Sequence, residues 1–258
     1  MNEKHFLEQG ETQSESPAPF EEEVGYESFV PEQFKADPFG YFDAHGVNIK
    51  PGESKFAEDG KVREDVAAVK YLPVWENEAG EKLETVAKRI NPEKGRVRKE
   101  GDPFYEYHIL QLLTELGLPT IKPIAKIESD GRFMTITERA KGFSIFDLKK
   151  MIPELKAKGY SNEDLQGLQA KALEKMDALR ETFEQFGIYK DRSEDHKDHW
   201  KIQDMIFDID FDNKEILSVI PTDWEKTKLD KEKIALALEA KHYGIESGKR
   251  GDIRISLG

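Results

Sequence analysis

The 258-residue sequence contains no cysteine. That absence excludes disulfides, thiolate metal ligation and a cysteine nucleophile, and it is compatible with a reducing compartment. No apolar run approaches the roughly 20 residues that a membrane-spanning helix needs, so no membrane partner is expected. The opening Met1-Asn-Glu-Lys-His-Phe lacks the basic and apolar regions of a secretory signal. The expected location is cytoplasmic, or a host cytosol if the chain is a delivered effector. Positive charge is scarce too: 39 Lys and Arg stand against 52 Asp and Glu, a formal net charge of -13. Contact with a phosphate backbone needs a basic face, so nucleic acid is not an expected partner.

What is present suits a folded chain. Hydrophobic residues make up 37% of the sequence, with 15 Phe, 8 Tyr and 3 Trp, unlike the aromatic-poor composition of disordered proteins. The length fits one sizeable domain or two small lobes. Residues 1–36 differ: nine Glu against two Lys predict an acidic, disordered tail, in which Phe20, Tyr26, Phe29 and Phe34 are incidental or form short docking contacts. Residues 37–65, rich in Gly, Pro, Asp and Lys, read as loop with one weak strand near 47–50.

Regular patterning follows. Residues 66–75 and 82–90 are β-rich runs around a polar, glycine-containing turn, which predicts a hairpin with Lys88 on its second strand. Past a basic loop at 91–102, Phe104, Tyr105, Ile109, Leu112, Leu113 and Leu116 recur at helical spacing up to Gly117, with Glu106 in the first turns. Residues 121–128 and 132–138 flank Ser129-Asp-Gly as a second hairpin. Helices are predicted at 145–152 and from a Ser161-Asn-Glu-Asp capping signal to Phe186, ended by Gly187. A charged loop, strands at 205–209 and 216–222, Asp223 and a last helix over 230–242 complete the chain. No internal repeat is visible.

This order of elements resembles the protein-kinase-like superfamily over about residues 66–225. Val86-Ala-Lys88 resembles the strand lysine of V-A-I-K, and Glu106-Tyr-His-Ile-Leu resembles the start of the helix whose glutamate pairs with it. A lysine on a strand needs an opposite charge to hold it over phosphates; the plain alternative is an ordinary surface Lys and Glu. Residues 137–142 occupy the place of the interlobe hinge, so the resemblance implies adenine contacts near Glu138 and Ala140; a polar connector fits equally. Phe186-Gly-Ile-Tyr-Lys-Asp191 resembles the G-I-x-H-R-D entry to the catalytic loop, which implies Asp191 as the base. Lys201-Ile-Gln-Asp204-Met-Ile-Phe-Asp resembles K-P-E-N-I-L-L-D and puts Asp204 at the metal-binding Asn. The alternative register makes Asp198 of His196-Lys-Asp198 the base and Gln203 the metal ligand. Pro221-Thr-Asp223-Trp-Glu resembles the I-D-W-E form of D-F-G in aminoglycoside-phosphotransferase-like kinases, implying Asp223 as a second metal ligand.

The sequence also departs from the family. No G-x-G-x-x-G precedes Val66, where only isolated Gly46, Gly52 and Gly60 stand, and few residues follow Glu225. The resemblance therefore implies a minimal or atypical member, with an α+β two-lobed kinase-like fold: a tail at 1–36, a small antiparallel-sheet N-lobe at 37–140, and a truncated, mostly helical C-lobe at 141–258. It implies ATP and Mg²⁺ as cofactors and phosphate transfer to a hydroxyl of a protein or small molecule. A pseudokinase scaffold is the alternative. A third reading is a metal-dependent hydrolase built on Asp195, His196, Asp198 and His199.

Overall fold

A computed structural model describes residues 20–22, 25–45, 67–90, 102–129, 132–190, 200–224 and 227–242. In chain order the first elements are β1 (Phe20–Glu22), α1 (Glu32–Ala36), α2 (Pro38–Ala44), β2 (Ala67–Tyr71), β3 (Trp75–Glu76), β4 (Lys82–Leu83), β5 (Thr85–Ile90), α3 (Tyr105–Leu116), β6 (Pro123–Ser129) and β7 (Arg132–Glu138). Five of these strands form an antiparallel sheet in the order β1-β6-β7-β5-β2. The first predicted hairpin is therefore the β2–β5 pair, prolonged by the short β3–β4 ribbon at its turn.

Strand parity decides what each face of this sheet meets. Ala87 pairs with Ile136, and both are fully buried. Lys88 pairs with Thr135, so one residue along the strand the side chains change face. The face of Ala87, Met134 and Ile136 packs under α1 and α2. On the opposite face, Phe133 packs with Phe104 and Tyr107 at the start of α3.

The α1–α2 layer corrects the expectation of disorder over the described residues 25–36 and of loop over 37–45. Phe34 is completely buried, edge-on to Tyr41 and Phe42 with centroids at 5.5 and 5.4 Å and tilted on Trp75 at 5.1 Å. Each fully buried ring of this kind is worth about 1.5–3 kcal/mol, enough to order a short helix whose charge density argues for disorder. Tyr26, Val30 and Phe34 turn inward, while Glu27 and Glu32 remain exposed. Glutamate count thus concealed an amphipathic pattern. The weak strand expected near 47–50 lies outside the described residues.

The remaining elements are β8 (Phe143–Ser144), α4 (Ile145–Ala157), α5 (Asn162–Gln185), β9 (Ile188–Lys190), a 3₁₀ turn (Ile202–Asp204), β10 (Met205–Asp210), β11 (Glu215–Pro221), β12 (Thr227–Leu229) and α6 (Lys231–His242). Ser144 with Asp147 and Ser161 with Asp164 form reciprocal capping boxes on α4 and α5, which satisfy the first free backbone N–H groups. The helix α4 continues through Pro153 instead of stopping at Ile152. A three-stranded sheet runs β11-β10-β8, and β9 pairs with β12. On α6, Ile234 packs among Leu110, Leu113 and Leu116 of α3. The architecture is mixed: small antiparallel sheets with several helices.

Candidate functional site

Lys88 and Glu106 meet. Parity on β5 turns Lys88 toward α3, and Glu106 lies in the first turn of that helix, one turn before buried Ile109 and Leu110. A carboxylate there is favoured by the helix dipole. Asp102 fixes the helix start, accepting the Phe104 N–H at 2.8 Å and meeting His108 Nδ1 at 2.9 Å. Lys88 Nζ donates to Glu106 Oε2, with only 22% and 20% of the two side chains exposed. The other oxygen, Oε1, accepts the Trp224 backbone N–H at 3.5 Å. One carboxylate therefore ties β5 and α3 to the turn that carries Asp223.

That turn has an unusual backbone. Asp223 has φ 60, the left-handed region that non-glycine residues seldom adopt. On its N-terminal side, Thr222 donates its N–H and its hydroxyl to the Asp204 carbonyl at 2.7 and 2.9 Å. On its C-terminal side, Trp224 is fully buried, stacked on Phe183 at 5.2 Å and edge-on to Trp200 at 6.2 Å. Thr227 Oγ1 donates to the Trp224 carbonyl at 2.7 Å. With both neighbours fixed, the chain at Asp223 reverses and leaves its side chain exposed.

A residue that motif reading did not assign completes the site. Lys190 ends β9, and period-2 alternation puts it on the same inward face as fully buried Ile188. Its side chain is 5% exposed; Nζ donates to the Thr222 carbonyl, lies 3.7 Å from Asp204 Oδ2, and sits 5.6 Å from the Trp224 ring centroid. Burial pushes the Lys190 pKa below the usual lysine range, against the pull of the Asp204, Asp223 and Glu106 carboxylates. Burial likewise raises Asp204, opposed by Lys190 and reinforced by the charge of Asp223. The signal in the sequence was the Ile-Tyr-Lys alternation directly after Gly187.

The other expected residues divide. Asp204 turns toward Lys190, while its neighbour Gln203 is exposed, so of these two adjacent residues only Asp204 joins the site. Glu138 ends β7, its carboxylate accepting the Tyr26 hydroxyl at 2.7 Å, and Ala140 follows half-buried. The Glu138 and Arg139 N–H groups donate to the Lys122 and Glu84 carbonyls at 2.9 and 2.8 Å, so those two donors are already engaged. Asp191 and Asp198, with Asp195, His196 and His199, lie outside the described residues.

Among the described residues, no three His, Cys, Asp or Glu side chains gather as a metal cage. Mg²⁺ needs less, because it binds through one or two carboxylates together with phosphate oxygens and water. The carboxylates of Asp204 and Asp223, the second charged near enough to the first to raise the Asp204 pKa, match that donor set. A separate cavity of about 550 Å³ lies between α4, α5 and the β10–β11 hairpin, lined by apolar side chains such as Leu155, Leu168, Phe207 and Ile209. None of the charged residues above line it.

No family model matches the sequence, and no curated protein matches it. Among solved structures, the bifunctional kinase-methyltransferase WbdD is similar at 14% identity and a TM-score of 0.33, over 61% of this chain and 30% of that one. The BubR1 kinase domain is similar at 8% identity and a TM-score of 0.43, over 80% and 62%. The chain thus spans less than two thirds of either structure. At this degree of likeness neither decides the fold or the function.

Proposed function

We propose that the chain binds ATP at the site centred on Lys88, Glu106, Asp204 and Asp223 and transfers its γ-phosphate to a hydroxyl acceptor on a protein or small molecule. The observation that carries this reading is the bridging carboxylate of Glu106, which joins Lys88 to the Asp223–Trp224 turn. Lys88, oriented by Glu106, binds the α/β-phosphates as a positioned cation. Asp204 and Asp223 would hold Mg²⁺, which when bound neutralises charge on the β/γ-phosphates. Asp191 accepts the proton of the acceptor hydroxyl as it attacks, with Asp198 the other candidate for that task. A binding-only role is the second reading, favoured by Lys190, whose ammonium already lies against Asp204.

The test is thermal unfolding with and without Mg-ATP. At ligand about 100 times Kd, binding stabilises by about 2.7 kcal/mol, a rise of roughly 5–11 °C for a domain of this size. The rise is expected in the wild-type chain and not in Lys88→Met. No rise up to millimolar nucleotide would sink the proposal. Phosphate transfer from labelled ATP then separates the two readings: transfer abolished by Asp191→Ala supports an enzyme, retained transfer moves the base to Asp198, and binding without any transfer supports the scaffold.

A further inference from the structure

We propose that Lys190 is a built-in cation for the Asp204–Asp223 carboxylate pair, so that a divalent cation enters there only together with the phosphates of a nucleotide. The proposal rests on the nucleotide reading above for its second half. Its first half stands on position alone. The Lys190 ammonium touches the residues on both sides of Asp223, donating to the Thr222 carbonyl and lying over the Trp224 ring, and it is 3.7 Å from Asp204 Oδ2. It interacts electrostatically with Asp223 and Glu106 as well. The side chain has little room to leave: Lys190 is paired in register with Thr227, and its side chain is only 5% exposed.

The charges then sum simply. Asp204, Asp223 and Glu106 contribute three negative charges, and Lys88 and Lys190 contribute two positive ones, leaving a single negative charge. A dication added alone would face a fixed ammonium in a partly dry site, where such repulsion changes affinity by more than about tenfold. Nucleotide phosphates bring the missing negative charge, and with it the remaining oxygen ligands. A tether role for Lys190 predicts a different result: its loss would lower stability and leave metal affinity unchanged.

Mn²⁺ binding to the intact chain, read from the loss of the free-ion signal in electron paramagnetic resonance, distinguishes the two. Without nucleotide, the wild-type chain and Lys190→Arg are expected to take up little Mn²⁺. Lys190→Gln keeps a donor for the Thr222 carbonyl but removes the charge, and it is expected to bind one Mn²⁺ at least about tenfold more tightly; adding Asp223→Asn should abolish that gain. Equal Mn²⁺ affinity in the wild type and Lys190→Gln overturns the proposal. If Lys190→Gln does not fold, the wild type still decides, since stoichiometric Mn²⁺ uptake without nucleotide also overturns it. In a second arm, ATP should bring one Mn²⁺ into the wild-type site, and ATP bound without Mn²⁺ counts against the inference. Failure of ATP to bind at all overturns the nucleotide reading, while the ATP-free comparison still decides what Lys190 does.

Discussion

Glu106 and Trp224 are 118 residues apart in sequence, yet the Trp224 backbone N–H donates to the Glu106 carboxylate at 3.5 Å while the same carboxylate holds Lys88. Residues acting as a unit are non-additive when substituted. For Lys88→Met and Glu106→Gln, singly and combined, urea denaturation is expected to give a coupling energy of about 1–3 kcal/mol. Glu106→Gln should also weaken nucleotide binding by about tenfold or more, because Lys88 loses the charge that orients it. Additive effects on stability would mean that the ion pair contributes nothing to holding β5 on α3.

Asp204 gives the fold a dependence on pH. Burial raises its pKa above the ordinary carboxylate value, so between the unfolded and folded values the native chain keeps a proton that the unfolded chain has released. The stabilisation tied to this group is fully present below the unfolded value and is lost as pH rises through the folded one. In chelator, the urea midpoint of the wild type should fall relative to that of Asp204→Asn as pH rises across that window. Parallel profiles for the two proteins would show that Asp204 titrates alike in both states.

Gly142 separates the hinge-like segment from β8 and has φ +117, and a Cβ there would lie 2.3 Å from the Phe207 carbonyl oxygen. Backbone and clash act together, with no flexible side chain to yield. Gly142→Ala is expected to cost about 3 kcal/mol or more by urea denaturation. Gly167, where a Cβ meets nothing within 4 Å on α5, supplies the control, since Gly167→Ala should stabilise by about 0.4–1 kcal/mol.

Phe34 tests whether α1 belongs to the folded unit. With the ring wholly buried against Tyr41, Phe42 and Trp75, Phe34→Ala should cost about 3–5 kcal/mol, whereas Glu32→Ala on the exposed side should stay within about 0.5 kcal/mol. A Phe34→Ala protein as stable as the wild type would return residues 25–45 to the status of an appendage.

Trp224 anchors the Asp223 turn through its ring and not through its indole nitrogen, which is buried with no hydrogen-bond partner among the described residues. Trp224→Phe removes that buried donor and keeps a ring against Phe183. Its stability should lie well above that of Trp224→Ala, for which a loss of about 3–5 kcal/mol is expected. Melting temperatures of the two variants measure the difference; equal losses would place the stabilisation in the nitrogen or in ring size alone.

Local signals in the sequence were sufficient for the elements that carry them in full. The apolar spacing of Ile109, Leu113 and Leu116 defines α3, the left-handed Gly117 ends it, and the Ser161 capping box starts α5. Strands β10 and β11 follow from runs long enough to show alternation, whereas β8, β9 and β12, of two or three residues each, carry too little pattern and exist because partner strands are brought to them. Charge counting misread residues 25–44, since exposed Glu27 and Glu32 and buried Phe34 can follow one another within a short segment, an arrangement invisible to composition.

The site divides in the same way. Lys88 and Glu106 were legible as candidates because each sits in a short motif on a regular element, and Asp223 because its motif directly follows β11. Contact between Lys88 and Glu106, the choice of Asp204 over Gln203, and the burial of Lys190 belong to the tertiary structure. The physical reason is range: periodicity and capping act between residues a few positions apart, whereas a shared carboxylate, the orientation of a 3₁₀ turn and the desolvation of an ammonium depend on which surfaces close over one another.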